Sequence, residues 1–173
     1  MQRTAEETQQ RLYFLHEKLQ EMTKELPPKY QQRLPIELLS SLANALLSDT
    51  IFEIVVGLSE IQQITEKQLL HQRLELLKKQ KGKLKQFVSS EVIEEIKLSQ
   101  EEQRTTLAGR LKEEQKQFDM NIILQLDQKV REQQAALEGA GVPGFHVTNT
   151  PDEVQVQMYL LQFIIKLARM NTF

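Results

Sequence analysis

The chain has no cysteine and no tryptophan, and only 6% of its 173 residues are aromatic. Without cysteine there is no disulfide, no thiol nucleophile and no thiolate metal ligand, so the fold does not need an oxidising compartment. Glycine (6) and proline (5) are scarce. Scarce turn residues and abundant Leu, Glu, Gln and Lys exclude a sheet-rich fold and favour long helices. Neither sign of charge dominates: 22 basic against 24 acidic residues, net −2, give the whole molecule no field for gathering nucleic acid. No apolar run approaches the ~18 residues of a membrane-spanning helix. The opening Met1–Gln10 lacks the apolar core of a secretory signal. The expectation is a soluble intracellular protein of the nucleus and/or cytoplasm, with no transmembrane segment. Apolar residues make up 40% of the chain at regular spacing, which argues against disorder.

What is there is helix periodicity. Over 4–26, Leu12, Leu15, Leu19, Met22 and Leu26 step by 3, 4, 3 and 4, the spacing of a coiled-coil seam or of one face of an amphipathic helix. Pro27-Pro28 ends it. A dense helical block follows over 35–64. Pro35 suits a first turn, and Leu39, Leu42, Ala43 and Leu46 give a broad apolar face. Ser48-Asp49-Thr50 then interrupts the pattern before Ile51, Ile54, Leu58 and Ile61 resume it. Long helices are expected over 65–138, with a break near 89–90. In the first of them Leu70, Leu74, Leu77, Leu84 and Val88 form a heptad displaced from the earlier one, which marks a stutter or a change of packing partner. In the second, Leu107, Leu111, Phe118, Ile122, Leu126, Val130 and Leu137 lie near one face without a strict 3.5-residue period.

The few helix breakers are concentrated. Three of the six glycines and two of the five prolines lie between Gly139 and Pro151. A corner is expected over 139–150, with Gly139 or Gly141 supplying the left-handed helix stop. A C-terminal helix then runs over 151–170: Thr150 is its N-cap, Pro151 its first residue, and Asp152 and Glu153 fill its first turn. Val154, Met158, Leu161, Ile165 and Ala168 make one stripe on it, with Leu160, Ile164 and Leu167 beside them. Leaving so many large apolar side chains undocked would forfeit roughly 1.5–3 kcal/mol each.

Several segments carry a resemblance: Lys24-Glu-Leu-Pro27, Gln31-Gln-Arg-Leu34, Phe52-Glu-Ile-Val55, Glu113-Glu-Gln115, Ala140-Gly-Val142, Gly144-Phe145 and Val147-Thr148. By these the chain resembles the gonadal protein family, over roughly residues 24–74 and 110–167. The resemblance implies coiled-coil segments, no established enzymatic activity or cofactor, and a commonly proposed nuclear location. It carries over no functional site.

The residues themselves offer little chemistry. His16, His71 and His146 are far apart in sequence and have no ligand-spaced partner, so no metal is expected. Glu113, Glu114, Asp119 and Asp127 read as exposed charges on a polar helix rather than an acid–base pair. No strand precedes a glycine-rich loop, so no phosphate cradle is expected. Lys78–Lys85 reads as a solvated face, the sharper alternative being a nuclear-import signal or a nucleic-acid contact; no aromatics interleave with it. The last helix carries chiefly Gln with Lys166 and Arg169 on its polar side, which fits docking into protein better than lying on a membrane.

The expectation is therefore a single all-α domain over 1–173: antiparallel helices with coiled-coil-like segments and a C-terminal helix packed back after the corner. It has no catalytic, metal or cofactor residues. It works as an interaction or assembly subunit with helix-to-helix protein partners or with a second copy of itself. The candidate recognition residues are Leu12, Leu15, Leu19 and Met22, or the last helix through Met158, Leu161 and Ile165 with Phe145 as anchor. The same residues suit an internal core.

Overall fold

The computed structural model describes residues 2–88 and 94–170, and side chains outside 87–100. Every regular element among them is a helix: α1 Ala5–Lys24, α2 Pro28–Gln31, α3 Ile36–Ala45, α4 Asp49–Val88, α5 Glu94–Gly139 and α6 Pro151–Met170. The all-α expectation holds. The break expected near Ser89-Ser90 lies outside the described residues. By contacts the chain divides into two compact units, Met1–Ile61 with Val130–Phe173, and Gln62–Lys129.

The first unit contains α1, α2, α3, the start of α4, the end of α5, the corner and α6. Its helix α1 begins at a complete capping box. Thr4 Oγ1 accepts the Glu7 N–H at 3.2 Å while the Glu7 carboxylate accepts the Thr4 N–H at 2.9 Å. Two orphan donors are thereby satisfied at once. Leu15, Leu19 and Met22 of α1 are buried with Leu39, Leu42 and Ala43 of α3 and with Leu160, Ile164 and Leu167 of α6. At the start of α4, Ile51, Phe52 and Val55 join the same core.

Helix α5 stops as glycine chemistry dictates, at Gly141 rather than Gly139. Gly141 has φ +76°, which residues with a β-carbon adopt only at a penalty. Its N–H donates to Glu138 O and the Val142 N–H to Leu137 O, both at 3.0 Å, a Schellman motif. Val142 and Leu137 are both buried in the core, the apolar contact that accompanies such a stop.

Helix α6 turns a different face inward from the one led by Val154, Met158 and Leu161. Val156, Leu160, Phe163, Ile164 and Leu167 are buried, while Met158 is 46% exposed. The helix is apolar over a wide arc, so packing selects among its stripes. The selected face buries Phe163 and is tied by Asp152 to Lys29 at 2.8 Å and Arg33 at 3.6 Å. Tyr30 and Tyr159 meet edge to face, 5.3 Å between centroids.

The second unit is a helix pair, α4 from Gln62 against α5 to Lys129. Arg73 pairs with Asp119 at 2.8 Å, and Gln80 donates to Leu111 O at 3.0 Å. Rising numbers on α4 meet falling numbers on α5, so the pair is antiparallel.

Candidate interaction surface

The corner before α6 is held by polar side chains that are themselves buried. Gln134 Oε1 accepts the Thr148 N–H at 3.1 Å, and Gln157 Nε2 donates to His146 O at 3.0 Å. Both glutamines are only 3% exposed. Thr150 takes the N-cap position, its carbonyl accepting the Val154 N–H at 2.9 Å. Thr150 and Glu153 have the spacing of a capping box, but a relay takes its place. The Thr150 N–H donates to Thr148 Oγ1, and the Thr148 hydroxyl donates to Glu153. The Thr148 bond first, and then His146, hold the Glu153 carboxyl below its usual range. The cluster is a structural lock, with each of these bonds joining two parts of the corner and its flanking helices, while Gln134 Nε2 and Gln157 Oε1 are buried without a hydrogen-bond partner among the described residues.

The structure distributes the candidate recognition residues unevenly. Leu15, Leu19, Met22 and Phe145 are buried in the first unit's core, and Leu12, Leu161 and Ile165 pack against it half-buried. Met158 alone of the eight is exposed. The heptad of α1 is thus occupied by α3 and α6 of its own chain.

Exposed apolar side chains occur on both units, Ile36, Val147 and Met158 on the first among them, but a pair of exposed leucines one helical turn apart, Leu70 and Leu74, is on the second. Leu70, Leu74, Leu77 and Leu84 read as the α4 seam. The seam in the structure runs one residue earlier through Leu69, Arg73, Leu76 and Gln80, with Leu69 and Gln80 buried. One position is about 100° around a helix, so Leu70 and Leu74 are left 57% and 55% exposed. Polar residues decided the register. Gln80 and Gln115 bond each other at 2.6 Å, and Arg73 reaches Asp119, so the apolar heptad turns away from α5.

The Arg73–Asp119 pair also marks which side of the helix pair is which. Arg73 is displaced from the α4 seam toward Leu70 and Leu74. Asp119 is displaced the same way from the α5 seam of Leu111, Gln115, Phe118 and Ile122. In an antiparallel pair the residues that follow the two seams share one side. That side therefore carries the α4 leucines together with Ile123, 56% exposed, and half-buried Leu126 on α5.

The same side is basic. Lys67, Lys78, Lys81 and Lys85 recur along the outer border of the leucine stripe, and Lys112 and Lys116 lie across from it on α5; all six are exposed. None enters an ion pair among the described residues. Glu66 and Asp127 stand at one end of this face, and Asp119 is neutralised by Arg73.

Among the described residues no group of His, Asp and Glu converges as a metal site. No single helix there is long and apolar enough to cross a membrane. The bent pair Ile36–Ala45 with Asp49–Gln86 passes by length and composition, but Leu39, Leu42, Ile51, Phe52 and Val55 of that stretch are core residues.

Fold and surface together define an all-helical protein with a polar-locked corner and one open leucine–lysine face. The DiGeorge syndrome critical region 6 (DGCR6) protein family model matches residues 2–173. The chain is 43% identical over 171 residues to Protein DGCR6 of Gallus gallus, covering 93% of this chain and 86% of that protein. It is 38% identical over 174 residues to Gonadal protein gdl of Drosophila melanogaster, covering 98% and 86%. The chain belongs to this family, as the segments around Lys24 and Gly139 led one to expect. No solved structure matches it.

Proposed function

We propose that this protein is a non-enzymatic interaction module, an adaptor or assembly subunit that binds protein partners through helical surfaces. The observation that carries the reading is the Leu70/Leu74 face. Among the described side chains of the second unit only Leu69 and Leu111 are buried apolar residues, while Ile64, Leu70, Leu74, Met120, Ile123 and Leu124 are at least half exposed. A helix pair with so little buried surface gains most of its stability from whatever packs on it, because isolated helices are marginal in water. Clustered exposed leucines of this kind mark contact surfaces. Sedimentation of the purified chain, alone and with copurifying proteins, tests the reading. A complex or oligomer disrupted by Leu70→Gln with Leu74→Gln supports it, and a stable monomer that never associates removes its motive. The proposed compartment is nucleus and/or cytoplasm, which imaging of the tagged chain would check.

The second reading is contact with nucleic acid through Lys78–Lys85, favoured by five exposed lysines without ion pairs among the described residues. Lys79 and Lys83 lie on the other side of the helix from Lys78, Lys81 and Lys85, which spreads the charge. A salt-dependent gel shift abolished by neutralising the five lysines would support it, and no binding at low salt would remove it.

A further inference from the structure

We propose that the occupant of the α4–α5 face is an acidic amphipathic helix of a partner protein. This rests on the interaction-module reading and adds the partner's chemistry. Leu70, Leu74, Leu77 and Leu84 sit on α4 at the spacing by which a docked helix is read, i, i+4, i+7 and i+14. Ile123 and Leu126 supply the opposite wall. A helix laid between these walls would cover the leucines left open by the polar seam.

Charge then selects which helix. The borders of the stripe carry Lys67, Lys78, Lys81 and Lys85 on α4, with Lys112 and Lys116 on α5, all exposed and outside any ion pair among the described residues. A partner helix with a leucine seam and glutamates at its flanks would meet lysines on both sides. A basic helix would meet like charge along its whole length, and like-charge juxtaposition is the stronger discriminator. A second copy of this chain in parallel would set lysine against lysine. Nucleic acid would use the lysines and leave Leu70 and Leu74 in water. Glu66 and Asp127 close one end, so the docked helix covers the stretch from Leu70 toward Leu84.

The test uses the full chain and two synthetic helical peptides with identical leucine seams, one with glutamate and one with lysine at the flanking positions. Fluorescence anisotropy should show the glutamate peptide binding, with affinity falling about tenfold as salt rises from about 0.1 to 0.5 M. Leu70→Gln with Leu74→Gln should weaken it at least about tenfold, with helicity and melting unchanged because both side chains are exposed. Reversing Lys67, Lys81 and Lys116 to Glu should transfer binding to the lysine peptide, a change of preference that loss of folding could not produce. Equal binding of both peptides, or binding indifferent to the leucine substitutions, would overturn the proposal. Self-association removed by the leucine substitutions, with no glutamate-peptide binding, would also overturn it while leaving the interaction-module reading standing. Binding of duplex DNA or anionic vesicles on this face in place of the peptide would count against both.

Discussion

A β-carbon on Gly144 would come within 2.8 Å of Leu160 Cδ1 and 3.5 Å of Leu38 Cδ1. Gly144 also has φ +88°, so the corner is pressed against both α3 and α6 at a position where only glycine fits. Gly144→Val should unfold the first unit or lower its stability by more than about 3 kcal/mol, the combined effect of strain and overpacking. Gly141→Ala meets open space and should cost only about 1–2 kcal/mol, from backbone conformation alone. Equal effects in urea denaturation would show that the Leu160 contact is not the constraint described.

The two leucine heptads should respond oppositely to truncation. Leu19, fully buried, should lose about 2–5 kcal/mol on Leu19→Ala. The exposed Leu70 should change stability by less than about 0.5 kcal/mol on Leu70→Ala. Thermal melts of the two variants check this, and a large loss at Leu70 would mean that its face is already covered within the chain.

Acidification should loosen the α6 N-terminus. Thr148 and His146 hold Glu153 below its usual pKa, and Lys29 and then Arg33 do the same for Asp152. A depressed carboxyl contributes stability that is present above its unfolded pKa and lost as pH falls through its folded value. Amide exchange in the first turn of α6 should therefore quicken as pH drops below the ordinary carboxylate range. Glu153→Gln should flatten that dependence, and identical profiles for the variant and the natural chain would rule the mechanism out.

Replacing Gln134 by Leu should be worse than its volume suggests. It strands the part-buried Thr148 N–H without the Gln134 carbonyl, a loss of about 1–3 kcal/mol. Limited proteolysis should then cut within 140–150 sooner than in the natural chain. Unaltered cleavage would assign the corner's order to its glycines and Phe145 alone.

Much of the first unit was legible because its signals are local. The glycine stop of α5, the start at Pro151 and the seam of α1 each depend on residues within two turns of one another; the stop falls on Gly141, one of the two glycines the sequence offered, and α6 starts at Pro151. The α6 face and the α4 seam were not legible, for a shared physical reason. Each helix offers two adjacent apolar stripes, and periodicity has no means of weighing Leu160 against Leu161 or Leu69 against Leu70. The role of Glu153 was missed because Thr148, outside the capping-box pattern, intercepts its carboxylate.

By itself the sequence determined that this is a helical chain, where α1 stops and α6 starts, and that a glycine ends α5. Those follow from backbone chemistry: prolines without N–H groups, glycines that reach positive φ, and side chains spaced for one helix face. Tertiary structure decided which apolar stripe each helix buries. In α1 packing consumes the heptad as core against α3 and α6. In α4 the Arg73–Asp119 and Gln80–Gln115 contacts set a polar register and leave Leu70 and Leu74 of the leucine heptad, bordered by lysines, facing water.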